Sequence, residues 1–363
     1  MRKTLRVLQV GAGFGQRGGV ASVLEELRAA KSLFEENSIR VEFFETRGFK
    51  SIKSRFLFFL LDVPRFFFRV LNGIDVIHFH VSARGSVFRK LILYRVSRVL
   101  GRRVIFHWHS NNLMDSVEES SKWFKSGLLE FIKLSDDAIG VSNEMAEDIR
   151  KFRPGSSVRV IGNCATNAED VALLGPAKAM DQRDSQSYFA FSGRLVEEKG
   201  LSELFSALEI LKKNQRPVRV KLAGTGETTR WTELARKLDI TDCVSFAGWL
   251  SGDHLTDFYR NAYGFCLPSH REPFGIATLE AMFCGLAVVG TRRGGFLDLV
   301  KDEETGFLVD SRDARQLADA LEKLWSDPGL AWRLGEAGRR YGLSRYSVKS
   351  VCAEYVLCYR GLI

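Results

Sequence analysis

Tyr188–Lys213 reads YFAFSGRLVEEKGLSELFSALEILKK: a short apolar strand (Tyr188–Phe191), a glycine turn carrying Arg194 and Lys199, then a helix (Leu201–Lys213). The same order recurs downstream. Strands are predicted at Val218–Leu222, Val244–Phe246, Tyr263–Leu267, Ala287–Val289 and Phe307–Val309. Helices are predicted at Thr229–Leu238, Ile276–Phe283, Ala314–Trp325 and Arg345–Gly361. Upstream the strands are Leu5–Val10, Arg40–Phe44, Asp75–His80, Arg103–Trp108, Asp137–Val141 and Val158–Ile161. A helix is predicted over Gly19–Glu36, with Val20, Val23, Leu24 and Leu27 at helical spacing. Short β-branched runs alternating with helix-length amphipathic stretches call for parallel sheets with crossover helices. Between Ala165 and Ser187 the periodicity vanishes, as at a domain boundary. The chain thus reads as α/β: two Rossmann-like, doubly wound domains facing each other across a cleft, with ligands expected at strand carboxyl ends. The expected bounds are 1–170 for the first domain, 171–187 for a linker and 188–344 for the second domain. Residues 345–363 form a last helix that can return to the first domain.

The composition, 45% hydrophobic and 27% charged over 363 residues, excludes a disordered, collagen-like or multi-span membrane chain. The six cysteines (Cys164, Cys243, Cys266, Cys284, Cys352 and Cys358) form no C-x-x-C pair and read as reduced core thiols of a cytoplasmic protein. LQVGAGFG, after the basic start, is too short and glycine-rich for a signal peptide's apolar region, and no window is apolar enough for a transmembrane helix. The charge is uneven. Met1–Ser110 holds 20 Lys/Arg against 8 Asp/Glu, and Arg47–Arg103 holds 13 against 2. An acidic partner is implied: a membrane surface, a phosphorylated substrate or nucleic acid.

After the first strand, GAGFGQRGG places Gly13, Gly15 and Gly18 in a G-x-G-x-x-G, with Glu45 at the end of the second strand. That is the dinucleotide fingerprint of an NAD(P)-dependent oxidoreductase. Leu5–Glu45 spans 41 residues, against roughly 30 for that unit. The alternative is a loop seating a substrate at the first helix's N-terminus through Gly18 and Gly19.

Three motifs follow successive strands in the second half. Gly193-Arg194 through Lys199-Gly200 can bring two cations to one anion near a helix N-terminus. Gly224-Thr225-Gly226 is a tight turn between strand and helix. In EPFGIATLE, Glu272 precedes a helix opened by Gly275, and Glu280 lies about one turn inside it. In the first half, His78-Phe79-His80 and His107-Trp108-His109 end strands, so each pair aims one way and could chelate zinc. No Cys, Asp or Glu completes a ligand set nearby, and no metal is expected.

This combination resembles the retaining glycosyltransferases of family 4, which have the GT-B architecture. GRLVEEKG is similar to their G-R-L-x-x-x-K-G segment, EPFGIATLE to their E-x7-E motif and Arg292–Val309 to their closing segment. Gly18-Gly19 resembles their amino-terminal Gly-Gly loop, and the first-half histidines match too. Asn163-Cys164 departs from the usual Asn-Gly. The resemblance implies that Arg194 and Lys199 bind the diphosphate of a UDP- or GDP-sugar. Glu280 would hold the ribose, Glu272 would contact the donor sugar, and His109 would stand near it. It implies further donor contacts at Gly193, Gly224, Gly226, Gly275, Ile276 and Ala277. The acceptor expected is a glycan or lipid-linked glycan made at the cytoplasmic face of a membrane. Glycosyl transfer needs cations at the leaving phosphate. With no D-x-D in the sequence, Arg194, Lys199 and the helix after Gly275 are expected to replace a metal, and no cofactor is expected.

Phe49–Leu71 (FKSIKSRFLFFLLDVPRFFFRVL) has seven phenylalanines and five Lys/Arg against one acid, Asp62, with Pro64 expected to break it into two helices. Six of the phenylalanines cover too much of the helical circumference for one buried stripe. Phe58, Phe59 and Phe67 beside Lys50, Lys53, Arg55, Arg65 and Arg69 suit an anionic lipid interface. Arg84, Arg89, Lys90, Arg95 and Arg98 are expected to add charge, making the protein peripheral at the inner face of the membrane. The basic third could instead serve a nucleic-acid-binding protein, but it holds no groove-reading module and no nucleic-acid partner is expected.

Overall fold

A computed structural model of the chain describes residues 4–13, 18–47, 51–82, 84–110, 113–118, 121–165 and 187–363, with Arg84 described by its backbone alone. It divides into two compact units, Met1–Thr166 with Val348–Ile363, and Asn167–Ser347.

The first unit is built on strands β1 (Leu5–Ala12), β2 (Ile39–Thr46), β3 (Val76–Val81), β4 (Arg103–Trp108), β5 (Asp137–Gly140) and β6 (Val158–Val160). Its helices are α1 (Gly19–Ala29), α2 (Lys31–Glu35), α3 (Ile52–Leu57), α4 (Val63–Leu71), α5 (Arg84–Val99), α6 (Leu113–Glu118), α7 (Lys122–Leu134) and α8 (Asn143–Phe152). The strands are parallel in the order β2-β1-β3-β4-β5-β6. Every residue of β3 is buried, the mark of a parallel strand covered on both faces. The helix predicted over Gly19–Glu36 breaks at Ala30 into α1 and α2, and the break turns Phe34 into the core, 6.3 Å from the Tyr359 ring. The expected interruption near Pro64 takes the form of a π-turn, Phe58–Asp62, between α3 and α4. Proline has no N–H to continue the ladder, and the wider turn absorbs the mismatch.

The second unit is built on β7 (Phe189–Ser192), β8 (Val220–Ala223), β9 (Val244–Gly248), β10 (Gly264–Leu267), β11 (Val288–Thr291) and β12 (Gly306–Val309). Its helices are α9 (Leu201–Lys213), α10 (Thr228–Lys237), α11 (Asp253–Arg260), α12 (Ile276–Phe283), α13 (Phe296–Leu299), α14 (Ala314–Ser326) and α15 (Pro328–Tyr346). The order is β12-β11-β10-β7-β8-β9, all parallel. The direction of winding reverses between β7 and β10, so the loops leaving those two strands border the crevice where such sheets bind ligands. The last helix, α16 (Val348–Arg360), starts after Ser347, three residues later than the predicted start, and belongs to the first unit. There Gln9 Nε2 donates to the Tyr359 hydroxyl at 3.0 Å, and Arg360 donates to the Asn37 carbonyl. All six cysteines are buried and unpaired.

Candidate functional site

In the second unit, packing glycines assemble the loops after β7 and β8. Gly224 and Gly226 have φ of +140° and +155°. A Cβ on Gly224 would lie 1.8 Å from the Gly193 carbonyl oxygen, and one on Gly226 would lie 2.4 Å from that of Leu195. No side chain fits there, so Leu195 N–H reaches the Thr225 carbonyl at 2.9 Å and Glu227 N–H the Leu195 carbonyl at 2.9 Å. Gly200, at φ +72°, sits against the Pro268 carbonyl, where a Cβ would come within 1.9 Å. The β7 loop thereby seats on the β10 loop.

That seating joins two residues distant in sequence. Lys199 Nζ donates to Glu272 Oε2 at 2.5 Å. Ser269 Oγ donates to the same oxygen at 3.2 Å, and Thr291 Oγ1 holds the Ser269 carbonyl at 2.7 Å. Lys199 thus has a structural partner as well as a place at the mouth: it pairs with a carboxylate only 11% exposed. Arg194 is exposed and forms no ion pair with a described residue. Glu272 sits in a loop clamped by glycines: Gly295 N–H donates to its carbonyl at 2.8 Å, and a Cβ on Gly294 would strike that oxygen at 2.2 Å.

Gly275 caps α12 with φ +102°. No side chain caps this helix, no acid lies in its first turn, and Thr278 Oγ1 is buried without a hydrogen-bond partner. The amides that open α12, from Ile276 and Ala277 on, thus face the β10 loop's mouth as free donors with the positive end of the helix dipole behind them. One turn on, Glu280 accepts from the Tyr259 hydroxyl at 3.0 Å. Burial and then the Glu280 charge push that phenol well above its ordinary range. Free amide donors at a helix start and a lysine held on a carboxylate form an arrangement whose chemistry suits an anion. Ser269, Tyr259, Gly200 and Gly294 carry this geometry without a sequence signal of their own, since each acts on a residue remote along the chain.

In the first unit, Gly18 caps α1 at φ +140° with open space around it, and Gly19 is exposed as the first helical residue. Gly15 lies outside the described residues. The four histidines form one buried array. The Tyr359 hydroxyl, which accepts from Gln9 Nε2, is hydrogen-bonded to His78 Nδ1 at 2.8 Å, and His78 Nε2 to His107 Nδ1 at 3.1 Å, each with the direction set by the histidine tautomer. His80 Nδ1 and His109 Nε2 share a proton at 2.9 Å, and His109 Nδ1 has no hydrogen-bond partner. Burial lowers His78 to about 3, and burial followed by the Lys90 charge lowers His109 to about 3. All four rings are therefore neutral near pH 7. Ring nitrogens of His78, His80 and His107 lie within 4.8 Å of one another, as do ligand atoms of Glu197, Glu203 and His270. Among the described residues these are the sets that could take an ion. In the first, two ring nitrogens are bonded to each other, and in the second Glu203 bonds His270 and Glu197 bonds Arg230.

The basic segment is partly corrected. Phe58 is fully buried, packed edge-on to Phe59. Lys90 is 2% exposed and donates to Ser86 Oγ at 2.5 Å, and burial lowers its ammonium to about 7. Arg95 pairs with Glu130 and Arg98 with Asp136. Arg89 is half-buried, and Lys50 and the Arg84 side chain lie outside the described residues. Among the described residues of Ser51–Leu71 the exposed cations are Lys53, Arg55, Arg65 and Arg69.

The model of the family "Glycosyltransferase Family 4" matches residues 6–166, and that of "Glycosyl transferases group 1" matches residues 178–341. A glycogen synthase of Mycobacterium tuberculosis is 29% identical over 255 residues, 69% of this chain and 59% of the relative. The chain spans about three fifths of the length of the first curated relatives it matches. The structure of a sucrose-phosphate synthase from Thermosynechococcus elongatus has a TM-score of 0.75 at 22% identity, covering 99% of both chains. Anabaena HepE in complex with UDP and glucose has a TM-score of 0.71 at 19% identity, covering 98% of this chain and 99% of that one. Two parallel six-stranded sheets, two family models that between them span nearly the whole chain, and these neighbours give one answer: the chain belongs to the GT-B glycosyltransferases of family 4.

Proposed function

We propose that the chain transfers a sugar, with retention, from a UDP- or GDP-sugar to a glycan or lipid-linked glycan at the cytoplasmic face of a membrane. The observation that carries this is the β7–β10 switch point, where Lys199 and Glu272 meet beside Arg194 and the uncapped start of α12. HepE, which shares the fold, holds UDP and glucose in its structure, and this supports the UDP-sugar reading.

Negative charge grows on the departing diphosphate as the glycosidic bond to it breaks. Arg194, Lys199 and the α12 amides meet that charge, and fixed donors in such a site need no reorganisation. Glu272 holds a sugar hydroxyl while Lys199 bridges its carboxylate to the phosphate. Glu280, oriented by Tyr259, accepts the ribose hydroxyls. His109, neutral and with Nδ1 unbonded, serves the donor sugar as a hydrogen-bonding group and not as a cation. The acceptor hydroxyl attacks the face the phosphate leaves and passes its proton to that phosphate, so no enzyme nucleophile is assigned. Built-in cations take the place of a D-x-D metal clamp, which the sequence does not contain.

Thermal shift against UDP, GDP, NAD and a DNA oligomer tests the proposal. A nucleoside diphosphate at a hundred times its Kd should stabilise the protein by about 2.7 kcal/mol. Stabilisation by NAD alone, or by DNA alone, would overturn the reading.

A further inference from the structure

The segment Ser51–Leu71 leaves a large apolar surface uncovered by the described residues. Phe56 and Phe68 are each 64% exposed, and Phe59, Leu60, Leu61 and Phe67 are exposed beside them. The segment is nevertheless firmly seated on the sheet. Phe66 packs edge-on to Phe44 at 5.2 Å, and Phe58 and Val70 are fully buried. The one acid of the segment, Asp62, is 1% exposed and paired with Arg47 at 3.2 Å. Its outer surface therefore carries Lys53, Arg55, Arg65 and Arg69 and no exposed carboxylate. At 3.6 residues per turn, Phe67, Phe68 and Leu71 of α4 occupy one arc next to the buried stripe of Phe66 and Val70, and Arg65 and Arg69 occupy the adjoining arc.

Those two arginines reach over the edge strand β2. Arg65 stacks on the Phe44 ring at 5.0 Å. Arg69 and Arg6 both donate to Glu42 at 2.8 Å, with Arg40 3.5 Å away. Arg28, Lys31, Arg40, Arg65 and Arg69 line a groove of about 750 Å³, five cations against Glu35, Glu42 and Glu45. A broad aromatic face thus stands next to a net-positive groove.

We propose that this face docks on an anionic phospholipid bilayer. The phenylalanines and leucines of the π-turn and α4 enter the acyl boundary, and the β2 groove receives lipid phosphates. Aromatics flanked by Lys/Arg are the pattern of interfacial helices. A second copy of the chain is the poorer occupant, because a twofold contact would set four cations against four with no carboxylate between them. The proposal rests on the membrane-face reading above but is tested apart from glycosyl transfer.

The full chain is sedimented with vesicles of phosphatidylcholine alone or mixed with phosphatidylglycerol. It should pellet with the mixed vesicles at low salt, stay in the supernatant with phosphatidylcholine, and leave the pellet as salt rises. Arg65→Gln and Arg69→Gln should each weaken binding about fivefold, the worth of one cation near the surface. Phe59→Ser/Phe68→Ser should abolish pelleting with the melting temperature unchanged. Phe68→Trp should show a blue-shifted emission on binding, which adsorption by charge alone would not give. Wild-type protein left in the supernatant refutes the docking, as do equal pelleting without anionic lipid and folded variants that pellet like wild type. Donor hydrolysis measured without vesicles keeps the two readings apart: intact hydrolysis with no vesicle binding sinks this inference alone.

Discussion

Replacing Lys199 by alanine should cost both catalysis and stability, whereas replacing Arg194 should cost catalysis alone. The difference follows from their partners. Arg194 is exposed and unpaired among the described residues, so its loss should remove only the proposed contact to the leaving diphosphate. Lys199 holds Glu272, and the side chains are 18% and 11% exposed. Breaking a fully buried pair costs about 3–5 kcal/mol and a surface pair about 0–1, so this part-buried pair should be worth about 2 kcal/mol. Ser269 remains as a donor to Glu272 and keeps the cost from rising further. For a domain of this size each kcal/mol moves Tm by roughly 2–4 °C, so Lys199→Ala should melt about 4–8 °C lower. Donor turnover should fall about 10²–10³-fold in both variants, the loss expected for one transition-state donor. Thermal melts and single-turnover assays on Lys199→Ala, Glu272→Ala and the double variant read both quantities. If Lys199→Ala melts with wild type, or if the two stability losses simply add, the ion pair is not coupled and the reasoning fails.

Activity should survive EDTA, and complete loss restored by Mg²⁺ or Mn²⁺ would refute the built-in cation clamp. Glu280→Ala should mainly raise the donor KM, because a ribose contact is made equally in ground and transition states, while Glu272→Ala should lower kcat more; identical effects on KM alone would deny the two carboxylates separate roles. Tyr359→Phe removes the hydrogen-bond partner of buried His78 Nδ1 and should cost about 1–3 kcal/mol, with a change at the His78 and His107 rings visible in imidazole ¹⁵N shifts. Stability should also fall in acid. His78 and His109, near 3 when folded, take up protons below about pH 6.5 on unfolding, so the unfolded state binds more protons. Two such groups give a loss of about 2.7 kcal/mol per pH unit between roughly pH 6 and pH 4. A flat stability profile over that window would show the histidines to be solvated.

Much of the fold is legible because parallel sheets write themselves plainly. Strands such as Tyr263–Leu267 are apolar throughout, and helices such as Leu201–Lys213, between Gly200 and Asn214-Gln215, are bounded by glycine or polar turns. The break at Ala30 was not legible, since no proline or glycine marks it and only the burial of Phe34 against α16 requires it. Exposure along Phe49–Leu71 was half legible. Periodicity said that some phenylalanines face outward, but the π-turn shifts the register and sends Phe58 inward while Phe59 stays out. Lys90 misled for a related reason: a lysine on an otherwise basic helix reads as surface until the packing of α5 places it beside Ser86.

The candidate site was legible as residue types on successive loops and illegible as pairs, and the topology explains why. Lys199 and Glu272 are 73 residues apart, on loops after β7 and β10. No spacing rule joins them. What joins them is the reversal of winding, which makes β7 and β10 neighbours although two strands separate them in sequence. Gly200 then brings the loops to van der Waals distance: it has φ +72°, and any side chain there would strike the Pro268 carbonyl. A glycine that read as mere punctuation before a helix is thus the contact that sets a cation on a carboxylate. Gly200→Ala should therefore behave as a site mutation, losing the Lys199–Glu272 coupling along with stability. If that coupling survives the substitution, the loop seating does not position the pair.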